Sequence, residues 1–160
     1  MVTDKRKERR DAVIATNSQF AVAIHILTLL ALQVQSADEP LTSERMAGSV
    51  NTNPVFIRRI LGSLNRAGLV ASQPGVGGGW KLSRDPMSIT LLDVYQAVDE
   101  GHLLAMPHST PNPDCLVGRN IQRTLTTYFD EAERAFEQTL AQQTVAQVLQ
   151  TALEDPRLKV

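Results

Sequence analysis

Asn51-Thr52-Asn53-Pro54-Val55-Phe56-Ile57-Arg58-Arg59-Ile60-Leu61-Gly62-Ser63-Leu64-Asn65-Arg66-Ala67-Gly68-Leu69-Val70-Ala71-Ser72-Gln73-Pro74-Gly75-Val76-Gly77-Gly78-Gly79-Trp80-Lys81-Leu82 decides the fold. Asn53 followed by Pro54 starts a helix: the amide side chain accepts from a free backbone N–H, and proline at the first helical position forfeits no bond. Ile57, Ile60, Leu61 and Leu64 follow at helical spacing and are expected to be buried. Gly68 supplies a left-handed stop, with Leu69 packing back. Leu69–Gln73 and Trp80–Ser83 read as short strands around a glycine-rich tip. A helix followed by a two-stranded wing is the nucleic-acid-contacting half of a winged helix-turn-helix.

Working outward, Thr42 starts a short helix with Met46, Ala47 and Val50 facing inward, and Asn51-Thr52 forms the tight turn that completes a helix-turn-helix. Further upstream, Ser18 caps a helix to about Gln35, with Phe20, Ile24, Leu27 and Val34 on one face and Ala23, Leu30 and Leu32 widening it. Residues 1–16, with Lys5, Arg6, Lys7, Arg9 and Arg10 among three acids, are expected to form a flexible basic extension. Downstream, Asp85-Pro86 ends the wing, and Thr90 caps a helix to about Asp99 that carries Leu91, Leu92, Val94, Tyr95 and Val98. A proline-rich loop follows. Ile121, Leu125, Tyr128, Phe129, Ala132 and Phe136 then mark a long helix over about 117–140, and Thr144 starts a last helix to about Leu153. The fold class is therefore mainly α with a small β-wing. The divisions are an extension (1–16), a winged helix-turn-helix domain (17–100), a loop (101–116), and a long helix with the C-terminal helix (117–160).

The 160 residues, 42% of them hydrophobic, suit one globular unit with an added element. The apolar run Phe20–Leu32 reads as too short and too polar to span a membrane, and no small-residue cleavage site follows it, so a cytoplasmic protein with no membrane partner is expected. One cysteine agrees with a reducing compartment. Residues 1–86 carry 11 Lys/Arg against 7 Asp/Glu, and residues 87–160 carry 5 against 10, so the half containing the wing is the positive one. That asymmetry suits phosphate binding.

The buried stripe leaves Thr52, Asn53, Val55, Arg58 and Arg59 outside, at the end of the helix that enters the major groove in this motif. Arginine reads guanine with two hydrogen bonds, and valine or threonine meets a thymine methyl. A solvated helix face accounts for the two arginines equally well on spacing alone; the wing behind them favours DNA. In the wing, Gly77 and Gly78 allow close approach to the sugar–phosphate backbone, and Lys81 and Arg84 are candidate phosphate ligands. A nucleotide phosphate loop is excluded by context, because these glycines open onto an alternating strand and not onto a helix.

The run Asn17-Ser18-Gln19-Phe20-Ala21-Val22-Ala23-Ile24-His25-Ile26-Leu27, then Thr52-Asn53-Pro54, Arg58-Arg59-Ile60-Leu61, Ala67-Gly68-Leu69-Val70, Gly77-Gly78-Gly79-Trp80-Lys81-Leu82 and Ile89-Thr90-Leu91-Leu92-Asp93-Val94-Tyr95, resembles the Rrf-two (Rrf2) family of bacterial transcription regulators over about residues 17–150. The resemblance implies a non-enzymatic regulator: a homodimer joined by the long helix, binding a two-fold double-stranded DNA operator. Two departures stand out. Gln73-Pro74 occupies the place where many members carry arginine before the wing. Cluster-binding members carry three cysteines between wing and long helix, whereas this chain has Cys115 alone. No cofactor is therefore expected: one thiolate does not fill a four-ligand iron–sulfur site unless His25, His102, His108 or carboxylates join it.

Cys115 sits at the N-terminal edge of the long helix, where the thiolate is favoured, with Arg119 four residues on and Asp114 opposing. A redox or electrophile sensor and a small packed hydrophobe both fit it. His25 is either a satisfied core histidine or, where the resemblance brings the first helix to the start of the long one, an orienting partner of Cys115. The expectation is a homodimeric transcription regulator, a repressor, switched at Cys115. The alternatives are a winged-helix regulator with a small-molecule, metal or mixed-ligand iron–sulfur effector, and a non-DNA adaptor that binds a protein partner. An enzyme built on Cys115 and His25 lacks an orienting group and an oxyanion site.

Overall fold

The computed structural model describes residues 5–36, 39–98, 101 and 103–154, with side chains from Ser18 onward. Residues 1–4, 37–38, 99–100, His102 and 155–160 lie outside the described residues. The chain order is α1 (Lys5–Ser36), α2 (Ser43–Val50), α3 (Pro54–Arg66), β1 (Val70–Gln73), β2 (Gly79–Leu82), α4 (Leu91–Val98), α5 (Leu116–Ala141) and α6 (Val145–Glu154), with a 3-10 turn at Pro86–Ser88.

α1 begins upstream of the Ser18 cap that the sequence predicts, and residues 5–16, read above as an extension, continue the helix. The physical reason is the absence of Gly and Pro between Lys5 and Ser36, in a run whose Lys, Arg, Glu and Ala are good helix formers. The buried face also differs from the expected one. Ala23, Ile26, Leu27, Leu30 and Ala31 are buried, while Phe20, Ile24 and Leu32 are half-buried and Val34 is 46% exposed. This helix is apolar on most sides, so spacing alone could not rank its faces. Ser18–Ser36 is in fact long and apolar enough to cross a membrane by length and composition, correcting the reading of its core as too short. What marks it as a core helix is its packing against α2, α3, α4, α6 and β2.

α2 and α3 form the helix-turn-helix. Thr42 accepts from the Arg45 amide, and Asn51 closes α2 in the left-handed conformation at φ 58°. Asn53 Oδ1 accepts from the Val55 amide at 2.8 Å, and Pro54 occupies the first helical position. α3 ends as its sequence predicts: the Leu69 amide donates to Leu64 O and the Gly68 amide to Asn65 O, both at 2.9 Å. Ile57, Ile60, Leu61 and Leu64 are all buried, as expected.

β1 and β2 pair antiparallel, with Val70 opposite Leu82 and Gln73 opposite Gly79. Leu41 adds a third short rung: its amide donates to Trp80 O at 3.0 Å and Trp80 N donates back at 2.9 Å. The wing is thereby tied to the entry of α2. Thr90 and Asp93 cap α4 reciprocally, at 3.1 and 2.9 Å. α6 is capped by Thr144, turns back through backbone bonds between Ile89–Leu91 and Gln143–Val145, and buries Val145 and Leu149 in the core. The sequence grouped α6 with α5, but α6 packs on α1 in the winged domain.

α5 stands apart. In its 26 residues none is fully buried. Leu116, Val117 and Tyr128 are 74%, 65% and 62% exposed. Its anchorage is an aromatic chain: Phe136 meets Tyr95 of α4 edge-on at 5.2 Å, and Tyr95 meets Phe20 of α1 at 5.4 Å.

Candidate nucleic-acid interface

Helical geometry sorts the outward residues of α3. Ile57, Ile60, Leu61 and Leu64 define the core side, and each residue turns about 100°. Val55, Arg59, Gly62 and Arg66 therefore lie opposite the core, whereas Arg58 lies on the flank toward α2. The contacts agree. Val55 is 66% exposed. Arg59 stacks its guanidinium 5.7 Å from the centroid of the Phe56 ring. Arg58 instead reaches α2: its Nε donates to Ser43 Oγ at 3.2 Å, and its Nη2 forms an ion pair with Glu44. Ser43 is buried. The Glu44 carboxyl is held below its ordinary pKa, first by its own backbone amide and then by Arg58. Thr52 is half-buried in the turn, and its amide donates to Ala47 O at 3.0 Å.

In the wing, Val76 projects fully into solvent at the tip. Two of the glycines have reasons internal to the fold. A Cβ on Gly78 would lie 2.2 Å from Gln73 O, and one on Gly79 would lie 2.8 Å from the Leu41 backbone. Close approach at these two positions is thus to the hairpin and to the Leu41 rung, a role the sequence reading gave to DNA. Gly77 has open space around it at φ 74°. Lys81 is half-buried on β2 opposite Ala71. Arg84 points back into the domain, donating to Ser88 O and lying 3.5 Å from the Asp93 carboxylate. That arginine braces the wing against α4 and is poorly placed for phosphate.

Cys115 is exposed at the N-cap of α5. Its sulfur closes no capping hydrogen bond, but the amides of Gly118 and then Val117 face it and hold the thiol below its ordinary pKa; desolvation opposes them. The preceding loop is packed onto this first turn: a Cβ on Gly118 would meet Asn112 O at 2.4 Å. Arg119 donates from Nε to Pro113 O at 3.1 Å, so it organises the loop rather than pairing with the sulfur. His25 is exposed, with Nε2 3.0 Å from Ser49 Oγ at the end of α2. Among the described residues, no hydrogen bond or ion pair joins it to Cys115. It lines an apolar groove of about 400 Å³ between α1 and α6, with Ile24, Leu29, Val148 and Leu153.

The helix-turn-helix and its wing have counterparts. Residues 16–151 match the family model Rrf2, described as iron-dependent transcriptional regulator. YwnA of Bacillus subtilis (strain 168), provisionally designated an HTH-type transcriptional regulator, is 44% identical over 133 residues, 83% of this chain and 96% of that protein. The chain belongs to the Rrf2 family of DNA-binding transcription regulators. Among solved structures, a provisionally designated DNA-binding protein shares 40% identity at a TM-score of 0.65, over 82% of this chain and 98% of that one. A provisionally designated regulator from Lactobacillus plantarum shares 26% at a TM-score of 0.70, over 86% and 91%. The family is non-enzymatic. Its description names iron, but the donor set of this member does not fit a cluster: the chain has one thiol, and among the described residues no three His, Cys, Asp or Glu converge.

Proposed function

We propose that this Rrf2 member is a cytoplasmic homodimeric repressor that binds a two-fold DNA operator and is switched by oxidation or electrophilic modification of Cys115. The observation that carries the reading is α5: a long amphipathic helix with no buried residue needs a partner surface, and a second copy supplies one by symmetry. Thr52, Asn53, Val55 and Arg59 meet the major groove, with Arg58 beside them on the flank toward α2 and Gly77 and Lys81 of the wing against the sugar–phosphate backbone. A two-fold pair of recognition helices reads half-sites about 34 Å apart.

The switch follows from where Cys115 sits. The thiolate, favoured by the facing amides, attacks peroxide oxygen; the O–O bond breaks, hydroxide leaves, and the sulfur becomes a sulfenic acid. The altered group lies at the end of α5, which reaches α1 through Phe136 and Tyr95. A shift of α5 therefore changes how the two winged domains are spaced. The apolar groove beside His25 favours a second reading, a small apolar effector.

Analytical ultracentrifugation tests the dimer, and a monomer at micromolar concentration would refute it. Fluorescence anisotropy on the duplex upstream of the protein's own gene tests the switch, reduced and after mild peroxide. Binding should weaken on oxidation in the wild type and stay constant in Cys115→Ser. A Cys115→Ser protein that still releases DNA on oxidation removes the thiol from the mechanism, and binding indifferent to oxidation moves the search to the groove.

A further inference from the structure

The two adjacent arginines of α3 are not equivalent. Arg58 is held on the α2 side by two contacts, an ion pair with Glu44 and a hydrogen bond to the buried Ser43 hydroxyl, while Arg59 lies opposite the core with its guanidinium over the half-buried Phe56 ring. We propose that Glu44 is a positioning residue that keeps Arg58 as half of a neutral pair, leaving Arg59 as the arginine of α3 that reads base edges. The inference rests on the DNA-binding reading above and assigns its specificity.

Three physical arguments support it. Position 59 shares its face with Val55 one turn earlier, so the pair presents one cation and one methyl-bearing side chain side by side, as required to read a guanine and a neighbouring thymine methyl. A guanidinium stacked on an aromatic ring has already lost part of its rotamer freedom, so less is lost when it forms a two-pronged bond. Glu44 stands in the first turn of α2. A free carboxylate at a DNA-facing position repels phosphate; paired with Arg58 it does not, and the pair adds little to sequence-independent attraction. Glu44 thus restrains non-specific binding, which raises the ratio of specific to non-specific affinity without adding a contact.

Wild type, Glu44→Gln, Arg58→Gln, the double variant Glu44→Gln/Arg58→Gln and Arg59→Gln are titrated by anisotropy onto two duplexes across a salt series. One duplex is selected by the wild type from a random library, and the other has the same composition scrambled. Glu44→Gln should tighten binding to the scrambled duplex and steepen the slope of log K against log salt by about one unit. The double variant should return to the wild-type slope, since a neutral pair has been replaced by two neutral side chains. Arg59→Gln should lose roughly tenfold or more on the selected duplex and relax preference at one base pair, while Arg58→Gln keeps that preference. In the free protein, Arg58→Gln should also raise the titration midpoint of the Glu44 carboxyl by NMR. The inference is overturned if the double variant has the slope of Arg58→Gln alone, because Arg58 would then leave Glu44 for a phosphate, or if Arg58→Gln is the variant that loses base preference. A wild type that selects no duplex refutes the DNA reading itself.

Discussion

Replacing Gly79 by alanine should loosen the wing from the helix-turn-helix, and the size of the effect follows from the geometry. The new Cβ would lie 2.8 Å from both the carbonyl carbon and the oxygen of Leu41, and 3.1 Å from its nitrogen, at a backbone φ of 154°. The opposing atoms are main chain, fixed by the paired bonds of 3.0 and 2.9 Å between Leu41 and Trp80, so no side-chain rotation relieves the contact. The rung must open. Losing two backbone hydrogen bonds costs about 1 kcal/mol each, and strain retained at residue 79 adds about 1–3 kcal/mol. The total is about 3–5 kcal/mol. For a chain of this size that corresponds to a fall in Tm of about 6–20 °C. Gly77→Ala is the internal control: its φ of 74° disfavours alanine, but nothing stands within 4 Å of the new atom. Its cost should be about 1–2 kcal/mol, the intrinsic penalty of the left-handed region. Urea unfolding of both variants beside wild type, with slopes compared for two-state behaviour, makes the measurement. If Gly79→Ala is no more destabilising than Gly77→Ala, the Leu41 rung does not anchor the wing and the reasoning fails.

Two further predictions concern the candidate site. Iodoacetamide should alkylate Cys115 with a rate that levels off at lower pH than for a free cysteine, because the amides of Gly118 and Val117 favour the thiolate; unfolding in urea should restore the ordinary profile. Since the folded thiol pKa is depressed, ionisation of Cys115 favours the native state above the unfolded thiol pKa, and that contribution is lost as pH falls through the folded value. Asn53→Ala removes the oxygen that accepts the Val55 amide and should cost about 1 kcal/mol by thermal unfolding, with the N-terminal end of α3 fraying first in hydrogen exchange. A fully protected Val55 amide in that variant would show that the turn, and not the cap, fixes the helix start.

The parts of the fold that were legible in the sequence are those decided within a few residues. Asn53-Pro54 at one end of α3 and Gly68-Leu69 at the other are local capping chemistry, and the structure places each bond where that chemistry requires. Thr90 and Thr144 start their helices for the same reason. What was not legible depends on partners distant in the chain. The Leu41 rung that explains Gly79, the Ser49 hydroxyl that occupies His25, and the Ser88 and Asp93 groups that turn Arg84 inward are set by tertiary packing. The glycine-rich tip shows the consequence. Its composition signals close approach, but composition does not say to what, and at Gly78 and Gly79 the neighbour is the protein itself.

Arg58 and Arg59 mark the boundary between the two kinds of information. As residue types they are identical, and a list of exposed cations treats them alike. Taken as positions on a helix whose core side is named by Ile57, Ile60, Leu61 and Leu64, they separate before any contact is known: one residue is about 100° of turn, which carries position 58 to the flank and leaves position 59 on the outer face. Periodicity therefore already held the distinction. The Glu44 pair, fourteen residues away, turns a difference of direction into a difference of charge, because Arg58 meets a carboxylate and Arg59 meets a ring face. Two neighbouring cations of one helix thus differ in what they can still bind, and the proposed specificity rests on that difference rather than on the number of positive charges.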